Sequence, residues 1–215
     1  MNAIEPRVDT KQRILDSAER LFADHGFEGT SLRTIISDAR VNLAAIHYHY
    51  HSKEALLDAV LVRRLEPINR ERLDRLNACG QNPSLEAVLE AFLSPVVRVG
   101  ADPERGGPTF VRLMGRIIFG EGNHLLRLVK QHFSEVLQRF TAALHQAAPE
   151  LPLAEVMWRM HFTAGAMAHT LRGCQEMALI SGGLCDPSDV EALTRRLVSF
   201  AAAGFRAPAE PGVNP

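Results

Sequence analysis

The stretch FEGTSLRTIISDARVNLAAIHYHYHSKEALLDAVL (27–61) decides the fold of the chain. Its middle part places His47, His49 and His51 at alternate positions. On a strand these side chains would share one face and could bind a zinc ion, but on a helix residues two apart point in different directions. A strand here would stand between two helical patterns without a partner strand. We therefore interpret residues 43–50 as a helix and predict no metal site.

The segments on both sides of this helix also have helical patterns. Upstream, Asp9 can cap a helix whose apolar residues recur three and four positions apart. Thr30 or Ser31 then begins a short helix, and a short turn follows it. Downstream, Ser52 can cap a longer helix that we expect to kink or break near Pro67.

The remainder of the chain continues as helices, without a convincing strand or an internal repeat. Asn82-Pro83-Ser84 begins a helix that Pro95 should bend or end. Asp186, which is followed by a proline, should cap the last helix. The predicted fold is all-α with about nine helices. The later helical segments are 109–119, 123–147, 153–180 and 187–205.

The composition is typical of a soluble globular protein. The 215 residues are 46% hydrophobic with a net charge of −1, so attraction to nucleic acid would have to be local. No apolar run reaches the roughly 18 residues of a membrane helix, and Cys79, Cys174 and Cys185 form no C-x-x-C pair. We therefore predict a cytoplasmic protein with reduced thiols. Because the sequence contains no dinucleotide, P-loop, zinc-protease or serine-hydrolase motif, we predict no enzyme and no cofactor.

A short helix, a tight turn and a second short helix, braced by a longer preceding helix, form the layout of a helix-turn-helix DNA-binding unit. The quoted run resembles the TetR family of transcriptional regulators over residues 10 to about 62, and its most specific part is SKEALL. The resemblance implies a DNA-binding domain at 1–62 and a larger helical domain at 63–206 for effector binding and dimerisation. We expect the proline-rich segment 207–215 to be a disordered tail.

The residues of this unit divide into an inner and an outer set. Ile46 and Tyr50 lie four positions apart and should pack into the core, whereas the opposite side of their helix would enter the major groove. Arg33 on the preceding helix adds a positive charge. The resemblance implies phosphate contacts for several of the remaining residues. The predicted DNA-binding residues are Leu43, Ala44, Ala45 and His47 towards the bases, with Thr30, Ser31, Arg33, Arg40, Tyr48, His49 and Lys53.

Two residues depart from the family pattern. Arg40 stands where glycine is usual in the turn, and left-handed geometry costs a non-glycine residue on the order of 1 kcal/mol. It either alters the turn or offsets the strain by contacting a phosphate. His47 replaces the usual first tyrosine of the aromatic run, so the operator cannot be inferred from relatives. Because the charges of residues 1–55 also nearly cancel, the alternative is a small-molecule-binding protein with weak or lost DNA binding.

Two helices near the carboxyl end carry patterns that suit helix pairing. Ala164, Gly165, Ala166 and Ala168 permit close approach, and the last helix has a seam with steps of three and four. By resemblance to the family, the pair would meet its twofold mates in a homodimer, with two reading helices about 34 to 36 Å apart on palindromic double-stranded DNA. Burial inside one subunit would produce the same pattern. The seam residues are Val190, Leu193, Leu197, Phe200 and Gly204.

Methionine and aromatic residues on two helices are either ordinary core or the lining of an apolar effector pocket. The segment EVMWRMHFTAGAMAHTL (155–171) looks similar to the ligand domain of acyl-responsive members of the family. This resemblance favours a small apolar or amphipathic effector, with fatty-acyl compounds as one candidate. The polar head of such an effector could be bound by His161, His169 and Arg172. We expect a repressor that the effector releases, although ligand-strengthened DNA binding is compatible with the same sequence. The predicted effector-binding residues are Phe110, Met114, Phe119, Met157, Trp158, His161, Phe162, Met167 and His169.

Overall fold

The computed structural model of the chain describes residues 10–120 and 124–209, in which every regular element is a helix. The first four are α1 (Thr10–His25), α2 (Leu32–Ala39), α3 (Leu43–Tyr50) and α4 (Lys53–Ala78). They are followed by α5 (Leu85–Ala101), α6 (Gly107–Phe119), α7 (His124–Leu128), a π-helical turn (Val129–Phe133), α8 (Ser134–Ala147), α9 (Leu153–Ile180) and α10 (Val190–Arg206). Because α7, the π-helical turn and α8 run on without interruption, they count as one helix, and the described ranges contain nine, as the sequence predicts. Not one of these helices combines the length and the hydropathy needed to cross a membrane.

Serine side chains cap the helices of the amino-terminal unit where the sequence predicts them. The hydroxyl of Ser31 accepts the backbone N–H of Thr34, and the hydroxyl of Ser52 accepts that of Ala55, both at 3.0 Å. Each bond satisfies one of the N–H groups that the first turn of a helix leaves without a partner. The starts of α2 and α4 are therefore confirmed.

The last helix begins later than the sequence predicts. Asp189 is its N-cap and accepts the backbone N–H of Ala192 at 2.8 Å. Asp186 instead accepts the backbone N–H of Ser188 at 2.8 Å, which closes a local turn around Pro187. The prediction for Asp186 was wrong because an aspartate can either cap a helix or close a turn.

Two prolines lie inside helices that were predicted to kink, bend or end at them. Pro67 is within α4 and Pro95 is within α5, and neither helix ends there. An interior proline costs roughly 3 kcal/mol, which buried neighbours such as Leu65 and Ile68 offset by packing in the core. α4 therefore crosses the predicted domain boundary between residues 62 and 63 as one continuous helix.

Two clusters of buried apolar side chains form the core. The first cluster joins α1, α2, α3 and α4 to α6 and includes Phe22, Ile46 and Phe110. The second cluster joins α5 to α8, α9 and α10 and includes Phe140 and Phe205. Since the first cluster packs the amino-terminal helices directly against α6, a shift of α6 would be transmitted to them.

A buried carboxylate ties α1 to α4. The side chain of Glu19 is only 3% exposed and pairs with both Arg63 and Arg64, and the Nε of Arg64 lies 2.7 Å from Glu19 Oε1. Arg63 also donates to the exposed Asp16 at 2.6 Å. Arg64 donates in addition to the backbone oxygen of Arg105, in the loop between α5 and α6. The network therefore fixes α1, α4 and that loop relative to one another.

Arg159 of α9 holds the carboxyl end of α10. Its Nη1 donates to the backbone oxygens of Gly204, Phe205 and Ala207 at 2.8, 3.0 and 2.7 Å, and its Nη2 to that of Pro208 at 3.2 Å. A cation at this position satisfies carbonyl groups that the last helical turn leaves without partners. Residues 207 and 208 are therefore held by Arg159, whereas residues 210–215 of the predicted tail lie outside the described ranges, so disorder there stays a prediction.

Candidate nucleic-acid interface and ligand-binding residues

α3 turns one side inward and the opposite side outward. Ile46 is fully buried and Tyr50 is 5% exposed, and the Tyr50 hydroxyl donates to the backbone oxygen of Lys11 at 3.4 Å. Ala44 and Tyr48 alternate with these residues and are exposed, Tyr48 by 80%. The predicted anchoring of α3 by Ile46 and Tyr50 is confirmed, and the outward strip of Ala44 and Tyr48 is accessible to a large partner.

The structure describes less of the other residues predicted to read bases. The backbones of Leu43, Ala45 and His47 lie in α3, and their side chains are outside the described part of the chain. His49 is half-buried, with its ring edge-on to Tyr48 and 5.0 Å between the ring centroids. Residues 43–50 form a helix and not the strand on which alternate histidines would share one face.

The sequence offers Thr30 and Ser31 equally as DNA contacts, but their hydroxyls have different surroundings at the start of α2. Thr30 is 2% exposed, and its hydroxyl donates to the backbone oxygens of Gly26 at 2.8 Å and Leu21 at 3.1 Å. The prediction of a DNA contact for Thr30 is therefore wrong, because this hydroxyl closes the turn between α1 and α2. Ser31 is exposed, and Arg33 is exposed without a hydrogen bond or ion pair to any described residue. Ser31 and Arg33 stay candidate DNA contacts.

Lys53 supports the turn between α1 and α2. Its ammonium group donates to the backbone oxygens of Phe27 at 2.8 Å and Thr30 at 3.0 Å, and lies 4.2 Å from the centroid of the Phe27 ring. A lysine ammonium has only one N–H left after two such bonds. The phosphate contact of Lys53 stays a prediction, with a smaller expected contribution than the sequence suggests.

The turns at both ends of α3 contain non-glycine residues with positive φ. Arg40 has φ 51° and ψ 49°, and His51 has φ 61°. The backbone N–H of Arg40 donates to Ser37 O at 3.3 Å, and that of Val41 donates to Ile36 O at 3.1 Å, which closes α2 as glycine usually does. The turn therefore keeps its left-handed geometry at Arg40, which answers one of the two alternatives that the sequence left open. Its side chain is exposed, and its phosphate contact stays a prediction.

Arg40→Gly is expected to raise the free energy of unfolding by about 1 kcal/mol, because glycine adopts this geometry without a Cβ clash. Arg33→Gly is the matched control, since it removes the same charge from the first turn of α2 and is expected to lower the free energy of unfolding by up to about 1 kcal/mol. Urea denaturation followed by circular dichroism measures both changes. An Arg40→Gly variant that is no more stable than the wild type would show that the turn is unstrained.

The helices before and after α3 each carry an acidic group with a lowered pKa. Hydrogen bonds from Ser17 and Arg20 hold the pKa of Asp38 below its usual value, so this carboxylate stays ionised and paired. At the start of α4, the backbone N–H of Glu54 itself and the hydroxyl of Ser52 lower the pKa of the Glu54 carboxyl. Because Glu54 is exposed, its negative charge opposes a phosphate at the first turn of α4. This arrangement favours a moderate attraction for polyanions.

The residues predicted to bind an effector fall into three separate places. Three of them belong to the first core cluster, where Phe110 is buried and Met114 and Met167 are partly buried. Phe119 and His169 are exposed and line a groove of roughly 770 Å³ between α1, α6 and α9. Only the first group has the enclosed, apolar surroundings that the sequence predicts.

The other four residues form part of an exposed aromatic face. Met157, Trp158, His161 and Phe162 lie on the outer side of α9, where Trp158 stacks on Phe162 with 5.7 Å between the ring centroids. Phe200 of α10 adjoins Trp158 and Phe162 in an open depression of roughly 690 Å³, and these five residues form the aromatic face. These four residues are open to solvent in the single subunit, because helical spacing does not reveal which side of α9 the core covers, and their role in effector binding stays a prediction.

The seam predicted on α10 is divided between the interior and the surface. Leu197 is buried, and Val190 and Leu193 are partly buried in the second core cluster. Phe200 and Gly204 are exposed. Burial inside one subunit therefore accounts for the first three seam residues, and only the end with Phe200 is accessible to a partner.

Arg72 is a buried charge that no sequence motif marks. It lies on the side of α4 that Leu65, Ile68 and Leu76 turn towards the core, and it is 1% exposed. Arg70, two residues earlier on the same helix, is exposed. An arginine at the spacing of a buried apolar stripe is the signal in the sequence that would have identified it.

Comparison with known proteins identifies both parts of the chain. Residues 14–60 match the family model described as bacterial regulatory proteins, tetR family, and residues 90–204 match the model described as tetracyclin repressor-like, C-terminal domain. The nicotine-responsive transcriptional repressor HdnoR of Paenarthrobacter nicotinovorans is 38% identical over 63 residues, which are 29% of this chain and 32% of that protein. The chain matches well under two thirds of the length of this relative.

Solved structures share the fold over nearly the whole chain. A TetR-like transcriptional regulator from Rhodococcus sp. RHA1 superposes with a TM-score of 0.63 at 20% identity, over 95% of this chain and 100% of that chain. The fatty acid degradation regulator FadR from Bacillus halodurans superposes with a TM-score of 0.62 at 15% identity, also over 95% of this chain and 100% of that chain. At these identities the likeness concerns the fold alone.

Proposed function

This chain belongs to the TetR family of DNA-binding transcriptional regulators, and we propose that it is a cytoplasmic, homodimeric repressor that a small effector releases from a palindromic operator. It is a regulator and not an enzyme. The observation that carries the proposal is the outward strip of α3, where Ala44 and Tyr48 are exposed while Ile46 and Tyr50 hold the helix in the core. A helix supported in this way can enter a major groove without unfolding its neighbours.

The proposed DNA contacts are of two kinds. Ala44 would contact thymine methyl groups, and the neighbouring positions of α3 would supply the remaining base contacts. Tyr48, Ser31 and Arg40 would contact phosphates, which set the register of the protein on DNA but carry little sequence information. Since Glu54 opposes a phosphate nearby, we expect a shallow dependence of the affinity on salt.

The aromatic face supports the proposed homodimer. Trp158, Phe162 and Phe200 are 56%, 62% and 70% exposed, and a contiguous apolar patch of this kind usually marks an interaction site. Gly165 of α9 and Gly204 of α10 have empty space where a Cβ would stand, so a partner helix can approach closely. A second copy would cover the same face on both subunits and place two α3 helices about 34 to 36 Å apart.

The proposed effector would act through the first core cluster. Met114 and Met167 are partly buried there and can adjust to a ligand, because methionine has flexible side-chain bonds. The FadR protein that shares the fold is a fatty acid degradation regulator, which favours an acyl compound as the effector. A coupling free energy of about 1 to 3 kcal/mol between effector and operator would be sufficient for release.

Tyr48→Phe is expected to weaken operator binding about tenfold, because a hydrogen bond to a charged phosphate contributes roughly 1.5 to 3 kcal/mol. Its stability should be unchanged, since Tyr48 is 80% exposed. Tyr50→Phe on the same helix is the matched control. It removes the inward hydroxyl that donates to Lys11 and should lower stability without changing DNA affinity. Fluorescence anisotropy on a palindrome that the wild type selects from a random duplex library measures the affinities.

A second candidate function is a small-molecule-binding protein with weak or lost DNA binding. The exposed Glu54 at the start of α4 and the engagement of Lys53 with backbone oxygens favour it. The same selection separates the two functions. If the wild type enriches no palindrome and binds all duplexes alike, the repressor proposal fails and the second function is favoured.

A further inference from the structure

Arg72 is buried in the interior without a counter-ion. It is 1% exposed, and it forms no ion pair with any described carboxylate. Its Nε donates to the backbone oxygen of Phe92 at 2.8 Å, and its Nη1 is 3.3 Å from Oδ1 of Asn69. The structure shows no further hydrogen bond from the guanidinium to a described residue, so its remaining N–H groups can bind another acceptor. This buried cation is therefore only partly satisfied.

Such a group destabilises a protein unless something balances its charge. Burial lowers the pKa of Arg72 to about 9, so the side chain is still charged at neutral pH. A buried cation that lacks a partner charge loses its hydration and receives little in return. A hydrophobic side chain of the same length would fill the position at a lower cost. The arginine therefore points to a role that requires its charge.

Other unusual features surround Arg72. The ring centroid of Phe92 lies 4.3 Å from the guanidinium carbon and that of Phe133 lies 6.0 Å away. Phe133 ends the π-helical turn, a geometry that is rare and often found at functional sites. Asn69 Nδ2 donates to the backbone oxygen of His132 at 2.7 Å, and the buried Nε2 of His132 has no partner. Arg72 and His132, which are linked through Asn69, thus both have bonding capacity that no described residue uses, and the rings of Phe92 and Phe133 lie near the guanidinium.

We propose that Arg72 binds the carboxylate of a small apolar acid, and that this acid is the effector. The inference rests on the proposed function and adds the chemistry and the place of recognition. The free N–H groups of the guanidinium would donate to the two carboxylate oxygens, with Asn69 and His132 as neighbours. The apolar part of the acid would lie towards Phe133, Met114 and Met167, which belong to the edge of the first core cluster.

The chemistry of the region favours a carboxylate over other anions. A planar guanidinium fork matches the two oxygens of a carboxylate, and aromatic rings on both sides suit a ligand with an apolar chain. One guanidinium balances the single charge of a carboxylate, whereas a phosphate ester carries more charge than it can neutralise. An acyl thioester lacks the free carboxylate and should bind less well.

The experiment compares decanoate with decanol, which has the same chain without the charge. Isothermal titration and thermal unfolding of the protein without DNA measure binding to the wild type, Arg72→Met and Arg70→Met. Arg70→Met is the matched control, because Arg70 lies on the same helix and is 69% exposed. Arg72→Lys keeps the charge without the fork, so it reports on recognition if the methionine variant fails to fold.

We expect decanoate, and not decanol, to raise the unfolding temperature of the wild type and of Arg70→Met. Without ligand, Arg72→Met should unfold at the same temperature as the wild type or at a higher one. It should bind decanoate at least about tenfold more weakly than the wild type does, and Arg72→Lys should also bind decanoate more weakly. Equal binding of decanoate by Arg72→Met or Arg72→Lys, equal binding of decanol, or no binding by the wild type would overturn the proposal. Operator release is measured separately: decanoate that binds through Arg72 without releasing DNA would overturn its role as the effector, whereas a wild type that binds decanoate but selects no operator would overturn the repressor proposal.

Discussion

A chain that carries Trp158→Glu and Phe200→Glu is expected to be monomeric and to bind its operator at least roughly 100-fold more weakly than the wild type. Both residues belong to the aromatic face, where they are exposed in a single subunit. Large aromatic residues at the centre of an interface often contribute about 2 kcal/mol or more each, and a glutamate in their place would bring an unpaired charge into the contact. A monomer holds only one half-site at a time, so the second α3 no longer contributes to affinity.

Sedimentation velocity measures the oligomeric state of this double variant, and fluorescence anisotropy measures its affinity for the operator. Phe119→Glu is the matched control, because Phe119 is 63% exposed but lies on α6, away from the aromatic face. The control should remain dimeric. A double variant that stays dimeric, with operator affinity like the wild type, would show that the subunits associate through another surface.

Glu19→Ala should lower the free energy of unfolding by about 3 kcal/mol, the largest stability effect that we expect of a single substitution. The carboxylate of Glu19 is 3% exposed, and its removal would leave Arg63 and Arg64 partly buried without their shared partner. Both arginines are about one fifth exposed, so water compensates only part of the loss.

Asp16→Ala is the control for this substitution. Asp16 pairs with the same Arg63, but its side chain is 57% exposed, so its removal should cost less than about 1 kcal/mol. Urea denaturation of both variants measures the difference. If the two variants lose the same amount of stability, the pairing of Glu19 with α4 is no stronger than an ordinary surface ion pair.

The sequence predicts the amino-terminal unit well because its local signals agree with one another. Ser31 and Ser52 are preferred capping residues, and Ile46 and Tyr50 have the spacing of one helical face. In each case the neighbours along the chain determine the structure. The predicted DNA contact of Thr30 failed for a different reason. Threonine and serine next to each other are both credible caps, and only the fold of the turn shows that the Thr30 hydroxyl is bonded inside the protein.

The carboxyl-terminal half is less predictable because its helices have apolar residues on more than one side. Spacing shows that Trp158 and Phe162 share a side of α9, but not whether the core or a partner covers that side. Leu197 of the predicted seam on α10 is buried inside the subunit, whereas Trp158 and Phe162 are exposed. Which side of each helix is covered depends on contacts between elements that are distant in sequence.

Because α4 continues through Pro67 without ending there, its amino-terminal part can move as a lever arm about the proline. Proline removes one backbone hydrogen bond, so bending is easiest there. Fourteen residues separate Lys53 from Pro67, which at 1.5 Å per residue is an arm of about 21 Å. A tilt of about 5° at the proline would displace the start of α4 by about 2 Å, a distance comparable with the length of a hydrogen bond. Because Lys53 donates to the backbone oxygens of Phe27 and Thr30 beside α2, the displacement would also move the helix-turn-helix unit.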